Sequence, residues 1–487
     1  MPKHQRQPCT RSAPHGPVHK HARAVYRLIH AAIAALCVSS CLGRSTFILG
    51  TLADSGDANT HNAGDPASPM PWGQWAATQN LPDCPAGSPE LLVTTTTDEL
   101  EGGTTLADPA NAGSFLSLVE ALTIAANRAG PDTILFDEAV FAPDSDASIL
   151  FDGDPSLPNT SAVCIDARNR HVHLRFSETC GNRCMATFSG GSLLLGLEID
   201  AHVGGDNKWF LNASQAAGCL LTADAFSAGA FMLMGTGSVV GPGNYFKSGP
   251  FNNNESGVVT DGLFCTAPVV RDNYFGYDPR TARAEGFGSI GTGVLVWVPM
   301  TITGNVFAGL TDPLWFGALS EAGDVVFSEN WVGVDKAGNP TLPCGLKGPL
   351  SNQGRLIIGP NNVIAHNDLG VEIRSNAYPV RVTHNSIYAN QTAGISYLTG
   401  WAGEGPTPPT LTAVTTTRVT GSCAEAGDVE LFADDGNQGQ TFLATTPCTV
   451  GVDFSLSVIP PSGRNLTATV TNAVGYTSRF SSPWAVP

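Results

Sequence analysis

The chain has 487 residues, of which 14% are charged and 54 are glycine, and its formal net charge is −17. The charged fraction is about half of the ordinary level, and asparagine, threonine and valine are frequent, which favours long β structure with tight turns over helical bundles. An acidic surface repels phosphate backbones. Nucleic acid is therefore not an expected partner, nor is a densely anionic glycan without bridging metal ions.

The first 40 residues resemble an export signal. They contain six basic residues and no acidic one, and they end in an apolar run of 13 residues, Leu28 to Ser40. Such a run is too short to span a bilayer and has the length of a secretory h-region. The sequence Val38-Ser39-Ser40-Cys41 resembles the bacterial lipobox, which implies cleavage before Cys41 and its lipidation. An ordinary signal peptide with an incidental cysteine is the alternative.

The lipobox resemblance predicts an exported protein that contacts the bacterial outer membrane or cell surface only through its lipid. Residues 41–90 then read as a disordered tether, because glycine, proline, alanine and aspartate follow one another without a hydrophobic period. No later segment is long and apolar enough to predict a transmembrane helix.

Export to an oxidising compartment permits disulfides. Nine cysteines follow Cys41, and because this number is odd, at least one thiol stays free or pairs with another chain. Cys423–Cys448 is the first predicted pair, since both residues lie in one small terminal domain, and Cys180–Cys184 is the second. A zinc site at Cys180 and Cys184 is not favoured, because no second Cys/His pair stands at ligand spacing.

Residues 91–402 predict a capped parallel β-helix. A Thr/Val-rich strand comes first, and an amphipathic helix follows from Ser114 until Gly130-Pro131 stops it. The segment "SLVEAL" (117–122) resembles the "SLREAI" signature of bacterial right-handed parallel β-helix proteins, in which this helix plugs the open end of the coil. Leu116 and Val119 depart from that signature. The physical need is general, because an uncapped coil leaves hydrogen-bonding groups and a hydrophobic end exposed.

An asparagine followed two residues later by an apolar residue recurs through these coils. It is found at residues 244, 273, 305, 330, 362 and 385, with steps of 23 to 32 residues. Such irregular steps suit the coils of a parallel β-helix with variable loops. We expect Ile364 and Ile387 to point inward and stack on each other. We also expect each asparagine to adopt the left-handed backbone conformation at its turn and to bond the next asparagine through its side-chain amide.

The remaining chain predicts a separate C-terminal domain. Residues 403–409 form a Pro/Gly-rich linker. Residues 410–487 contain about seven short strands, which predicts an immunoglobulin-like β-sandwich. Such modules often follow β-helices in the bacterial family that the chain resembles. The predicted fold class is therefore all-β: a right-handed parallel β-helix with an N-terminal capping helix and a C-terminal sandwich.

Candidate catalytic residues lie in the last coils. Strand alternation places Glu372 and Arg374 on one outward face, and Arg381 between two valines also points outward. If the two strands stack one coil apart, Arg381 comes beside Glu372 and Arg374, with His384 nearby. Such a cluster suits acid–base chemistry on an acidic sugar. Outward charges that pair across rungs for solubility are the alternative explanation.

A calcium site is a further candidate. The echo "NYFGYD" (273–278) and "NWVGVD" (330–335) brings Asp278 and Asp335 into similar glycine turns. Aspartate in such turns either caps its own backbone or offers a carboxylate to Ca²⁺. Exposed aromatic rings beside the coils predict contacts with sugars, although at least half of them are expected in the core. These rings belong to Trp209, Phe210, Tyr245, Tyr274, Tyr277, Trp297, Trp315, Phe316, Trp331 and Tyr388.

Three functional hypotheses remain open from the sequence. The first is binding of extracellular polysaccharide, with a role in adhesion or envelope structure. The second is a polysaccharide lyase or glycoside hydrolase that uses Glu372, Arg374, Arg381 and His384. The third is a structural spacer that presents the C-terminal domain. A groove with converging carboxylates and arginines would favour the enzyme, and a groove lined by aromatic rings would favour the binder.

Overall fold

A computed structural model describes most of the chain from residue 69 onward. The described residues are 69–100, 103, 105–145, 147–151, 160–176, 186–201, 209–212, 214–223, 231–248, 256–285, 291–316, 323–348, 355–374, 379–398 and 405–486. The signal peptide, Cys41 and the pair Cys180–Cys184 lie outside them, so the lipid anchor and this disulfide stay predictions. No helix among the described residues is long and apolar enough to cross a membrane.

The regular secondary structure of the described residues is mostly β-strand, and most of these strands are parallel. Sheet A contains Glu90–Val93, Asp132–Phe136, Val163–Asp166, Leu193–Leu195, Gln215–Ala217, Val239–Val240, Val269–Arg271, Thr301–Thr303, Asp324–Ser328, Arg355–Ile358 and Val380–Val382. Sheet B contains Ser148–Phe151, His173–Phe176, Glu198–Ala201, Leu220–Ala223, Tyr245–Ser248, Tyr274–Phe275, Val306–Phe307, Trp331–Val332, Val363–Ala365 and Ser386–Tyr388.

The third side of the solenoid is built from two parallel sheets. Sheet C contains Thr160–Ser161, Ala186–Ser189, Trp209–Asn212, Phe231–Thr236, Ser256–Thr266, Thr292–Val296 and Asp312–Phe316. Sheet D contains Leu346–Lys347, Leu369–Ile373 and Ala393–Tyr397, and its first strand contacts the last strand of sheet C. A short antiparallel hairpin pairs Tyr277–Asp278 with Arg283–Ala284.

Neighbouring strands within a sheet come from successive turns of the chain, as in a parallel β-helix. The chain visits sheet A, then sheet B, then sheet C or D, and returns to sheet A one strand further along. Ile364 and Ile387 are paired in register and are 0% and 2% exposed, which confirms the predicted inward stack. Phe246, Phe275 and Phe307 also stack in the core, with centroids 4.5 and 4.8 Å apart.

An asparagine ladder runs along the corner between sheets A and B. The six predicted asparagines are buried, and each Nδ2 donates to the Oδ1 of the next over 2.8 to 3.2 Å. One expectation was wrong: the residue before the asparagine takes the left-handed conformation, as at Glu329 and Asn361. The two neighbouring residues have different roles. The buried asparagine directs its amide along the ladder, and the residue before it adopts the left-handed conformation that turns the chain.

Two helices lie near the N-terminal end of the described chain. Helix α1 is Trp72–Thr78, and helix α2 is Leu118–Asn127. Ser117 caps α2 in a capping box with Glu120, so the helix begins later than the predicted Ser114. Most of α2 is buried, and it contacts the strands Glu90–Val93, Asp132–Phe136 and Thr160–Ser161. Helix α2 therefore packs against the first strands of sheets A and C.

The predicted tether does not extend to residue 90. Trp72 of α1 is buried, and its Nε1 donates to the carbonyl oxygen of Gly218 at 2.6 Å. Gly73 lets the backbone of α1 lie directly against that of Arg170, since a Cβ at this position would be 1.7 Å from the carbonyl oxygen of Arg170. A disulfide that the sequence did not reveal, Cys84–Cys164, holds the segment to sheet A. The apolar side chains of this segment follow no helical or strand periodicity in the sequence, yet they pack against the outside of the coils.

The antiparallel C-terminal region has its own core. One sheet contains Thr410–Val414, Val419–Ser422 and Phe454–Leu456, and the other contains Gly427–Asp434, Thr441–Cys448, Asn465–Asn472 and Trp484–Ala485. The predicted disulfide Cys423–Cys448 is present. Among the described residues, Cys219 and Cys344 are buried free thiols, and burial raises the pKa of each to about 12.

The C-terminal region continues the hydrogen bonding of the last coils. A second ladder passes from Asn367 to Asn390, and Gln438 of the C-terminal region accepts the next bond from Asn390 Nδ2 at 2.9 Å. Gly439 and Ile387 exchange two backbone bonds of 2.7 and 2.9 Å. The end of the solenoid is therefore covered by the C-terminal region, which takes up buried groups that a further coil would otherwise satisfy.

Candidate functional site

The predicted catalytic cluster does not assemble. Glu372 and Arg374 pair with each other, with Arg374 Nε 2.8 Å from Glu372 Oε2, on sheet D. Arg381 lies on sheet A, where it is opposite Ile357. Glu372 is instead opposite Lys347 and Ser396. The predicted placement of Arg381 beside Glu372 and Arg374 is wrong, because the two strands belong to different sides of the coil.

His384 is part of the junction with the C-terminal region. Its backbone N–H donates to Glu430 Oε2 at 3.0 Å, and its ring Nδ1 lies 3.6 Å from Glu430 Oε1. The ring also packs edge-on against Phe442, with centroids 4.5 Å apart. These contacts hold His384 between two structural units, away from Glu372 and Arg374. It therefore supplies a packing contact, and the predicted catalytic grouping is not supported.

The two predicted calcium ligands already have other partners. Asp278 is buried and receives Arg280 Nε at 3.1 Å and Nη2 at 2.8 Å. Asp335 accepts the backbone N–H groups of Ala337 and Asn339 at 2.9 Å each, which is the turn-capping alternative. No group of three or more His, Cys, Asp or Glu in the described part of the chain converges as metal ligands would. The arrangement therefore does not support calcium at these turns.

An open pocket of about 280 Å³ lies at the corner between sheets A and B. We call it the Tyr274 pocket. Its lining comes from the segment after α1, from turns of two successive coils and from a loop after the strand Trp331–Val332. The lining residues are Gln79, Asn80, Leu81, Pro242, Gly243, Arg271, Asp272, Tyr274 and Lys336. The stacking of coils thus brings four separated parts of the chain together.

Tyr274 lies at the centre of an aromatic patch. Its ring stacks on Tyr277 with centroids 6.1 Å apart, and Trp75 meets it edge-on at 6.3 Å. The ammonium of Lys336 lies 5.1 Å above the Tyr274 ring and 5.4 Å above the Trp331 ring. Burial against these rings lowers the pKa of Lys336, and the negative charge of Asp272 partly opposes this effect. The patch combines ring faces with a cation held by cation–π contacts.

Polar groups surround the aromatic ring. Arg271 Nη1 pairs with Asp272 Oδ2 at 3.2 Å, and both side chains are about two-fifths exposed, at 40% and 43%. Gln79 and Asn80 also line the pocket. Burial, followed by the charge of Asp272, raises the pKa of Tyr274, so its hydroxyl remains a hydrogen-bond donor at neutral pH. The pocket therefore offers donors, acceptors and part of an aromatic ring to a hydroxylated ligand.

Sequence reasoning identified part of this pocket. Tyr274 and Trp331 stood among the aromatic rings predicted beside the coils, and their shared motif was visible in the echo of the two turns. Gln79 and Asn80 were missed because they lay in the predicted tether. Tryptophans at positions 72 and 75, in a stretch otherwise read as flexible, were the available signal.

Comparisons with known proteins add little to this geometry. No family model and no curated protein matches the chain. A solved double mutant of the tailspike protein of E. coli bacteriophage HK620 has a TM-score of 0.28 and 11% identity, covering 78% of this chain and 93% of that chain. A single mutant of that tailspike, in complex with a pentasaccharide, has a TM-score of 0.30 and 10% identity, covering 74% and 92%. At these TM-scores the likeness carries no inference, and the fold follows from the strand pairing alone.

Proposed function

We propose that the protein is exported, lipid-anchored at Cys41 and binds extracellular polysaccharide at the Tyr274 pocket. The anchor rests on the basic and apolar start of the chain and on its lipobox-like sequence. Such a protein would act in adhesion or envelope structure at the outer membrane or cell surface of a bacterium. The membrane is contacted only by the lipid in this proposal, and the acidic chain has no nucleic acid partner.

The architecture in this proposal is a right-handed solenoid closed at both ends. Helix α2 acts as the N-terminal cap, which its burial against the first strands supports. The C-terminal region acts as an immunoglobulin-like module, which its two packed antiparallel sheets support. Closed ends leave the outer sides and corners of the coils as the surface for a long polymer.

The single observation that carries the binding proposal is the aromatic ring at the centre of a polar, open pocket. Sugars present apolar ring faces and hydroxyl edges. Tyr274 offers a ring to the face, while Gln79, Asn80, Arg271 and Asp272 offer hydrogen bonds to the edges. A pocket at the low end of the usual ligand volumes suits one short stretch of a polymer that continues along the coils.

The other two hypotheses receive less support. A lyase or hydrolase that uses Glu372, Arg374, Arg381 and His384 is not favoured, because these residues lie on two sheets and at a domain junction. A spacer that merely presents the C-terminal region does not account for the pocket. It also does not account for the bonds that fix this region to the last coil.

Binding to a panel of neutral and weakly acidic bacterial polysaccharides tests the proposal. We expect at least one to bind, and Tyr274→Ala should weaken that binding about two- to tenfold, since one aromatic contact is worth about 0.5–1.5 kcal/mol. Affinity electrophoresis or biolayer interferometry on the purified chain measures the effect. Lys336→Gln should also weaken binding, because it removes the cation that lies over the Tyr274 and Trp331 rings.

Tyr388→Ala is the matched control. Tyr388 lies on sheet B outside the pocket and contacts His366, so this variant should bind polysaccharide as the original chain does. The same reactions are assayed for released reducing or unsaturated sugars. Sugar release that is lost in Glu372→Gln would support the enzyme instead. The absence of binding to every polymer, or equal binding by Tyr274→Ala, would refute the site.

A further inference from the structure

Lys336 gives the Tyr274 pocket a positive charge that no carboxylate balances. Three charged residues line the pocket, and two of them, Arg271 and Asp272, pair with each other at 3.2 Å. The ammonium of Lys336 instead lies 5.1 and 5.4 Å from the centroids of the Tyr274 and Trp331 rings. Because aromatic rings have no net charge, these contacts leave the charge of Lys336 in place. The lining of the pocket therefore has one net positive charge.

Another lysine on the outside of sheet B shows the contrast. Lys247 pairs with Glu285 at 3.3 Å, as expected in a chain with 42 acidic and 25 basic residues. Within the part of the chain that the structure describes, no salt bridge joins Lys336 to a carboxylate, and its ammonium meets rings and the open pocket. An anionic group from outside the chain therefore has a free place beside Lys336.

Hydrogen bonds hold the turn that carries Lys336. Asp335 Oδ1 accepts the backbone N–H groups of Ala337 and Asn339 at 2.9 Å each. Asp335 Oδ2 accepts Asn339 Nδ2, and the backbone N–H of Asp335 donates to the carbonyl oxygen of Asn339, both at 2.9 Å. A binding group on a preorganised turn loses less conformational freedom when its ligand arrives. Asp335, a predicted calcium ligand, thus positions a lysine instead.

The ammonium of Lys336 keeps a hydrogen-bond donor for a ligand. A lysine ammonium has three N–H donors, and contacts with two rings leave at least one of them available. Hydrogen bonds that involve charged groups are about twice as strong as neutral ones. A carboxylate on a sugar would therefore bind at the ammonium, while Gln79 and Asn80, which also line the pocket, can bond the hydroxyls of the same sugar.

We infer that the Tyr274 pocket binds a stretch of polysaccharide that carries one carboxylate among neutral sugars, and that this carboxylate binds the ammonium of Lys336. This assignment rests on the proposed function, because it names the substrate class of the same site. The carboxylates of the polymer are sparse, since the net charge of −17 on the chain repels a densely anionic polymer. Lys336 is thus the residue that distinguishes an acidic polymer from a neutral one.

Binding to acidic polysaccharides and to their carboxyl-reduced forms tests the inference. The probes are polymers of the same panel whose repeats carry a single uronate, gellan among them. Reduction turns each carboxylate into a primary alcohol and keeps the sugar rings. We expect the original chain to bind the acidic form about fivefold more tightly, which corresponds to an ion pair of about 1 kcal/mol. The preference should shrink at about 0.5 M NaCl, because salt screens exposed charges.

Three lysine variants assign the preference to one residue. Lys336→Gln should bind both forms equally, with the affinity that the original chain has for the reduced form. Lys336→Arg keeps the charge and should keep the preference, which separates the effect of charge from that of packing. Lys247→Gln is the matched control, since it removes the same charge from an ion pair outside the pocket and should leave the preference unchanged.

Two results would overturn the inference while the proposed function stands. One is equal binding of the acidic and reduced forms by the original chain, with both weakened in Tyr274→Ala. The other is a preference for the acidic form that persists in Lys336→Gln, since the carboxylate would then bind elsewhere. The absence of binding to every polymer is a different failure, because it would refute the pocket itself and the inference with it.

Discussion

Replacement of Asn330 by alanine should lower the free energy of unfolding by about 3–6 kcal/mol, because several buried groups lose their partners at about 1–3 kcal/mol each. Asn330 Oδ1 accepts from the backbone N–H and the side-chain amide of Asn305 at 2.9 and 3.0 Å. Its Nδ2 donates to the carbonyl oxygen of Ile302 at 2.9 Å and to Asn362 at 3.2 Å. All these groups lie at a buried corner that water does not reach.

Urea unfolding of the original chain and of the Asn330→Ala variant, monitored by circular dichroism, measures this difference in stability. Asn361→Gly is the matched control, because Asn361 is exposed in the corresponding turn of the next coil and has a φ of 65°, which glycine adopts freely. We expect its stability to change by less than about 0.5 kcal/mol. An Asn330→Ala chain as stable as the control would show that the ladder does not stabilise the solenoid.

Removal of the Cys84–Cys164 disulfide should be the second large effect. The bond closes a loop with a sequence separation of 80 residues. The chain-entropy relation gives a loss of about 4.5 kcal/mol for a loop of this length. The double variant Cys84→Ala/Cys164→Ala should unfold at lower urea, and a protease should cleave its N-terminal segment near α1 before the coils unfold.

Cys423→Ala/Cys448→Ala is the control for the disulfide. This variant lacks the disulfide that joins two cysteines 25 residues apart within the C-terminal region. We expect this variant to lose stability while the segment near α1 stays resistant to the protease. Equal resistance of that segment in both variants would mean that contacts such as those of Trp72 hold it without the disulfide.

The repeat pattern predicted the solenoid because each coil needs the same chemistry at the same corner. Asparagine both donates and accepts through one short amide, so its recurrence at 23- to 32-residue steps was readable. The inward stack of Ile364 and Ile387 followed from the same alignment. What the pattern did not reveal was the side of the coil on which a given strand lies. Arg381 was therefore predicted beside the strand of Glu372, which is on sheet D, whereas it lies on sheet A.

The N-terminal segment was misread for a different physical reason. Helix α1 is seven residues long, and a helix of this length gains its stability from tertiary packing, not from its own sequence. Trp72 buries against Gly218 and Tyr245, which lie more than a hundred residues away in sequence. The wall that this segment gives to the Tyr274 pocket could not be seen without the fold.

Hydrogen exchange with and without a bound polysaccharide tests the central claim most directly. The account expects slower exchange in four separated peptides, around residues 79–81, 242–243, 271–274 and 336, which meet only if the coils stack as described. The C-terminal region, residues 405–486, should exchange as before. Protection confined to that region, or spread over peptides that do not line the Tyr274 pocket, would contradict the account.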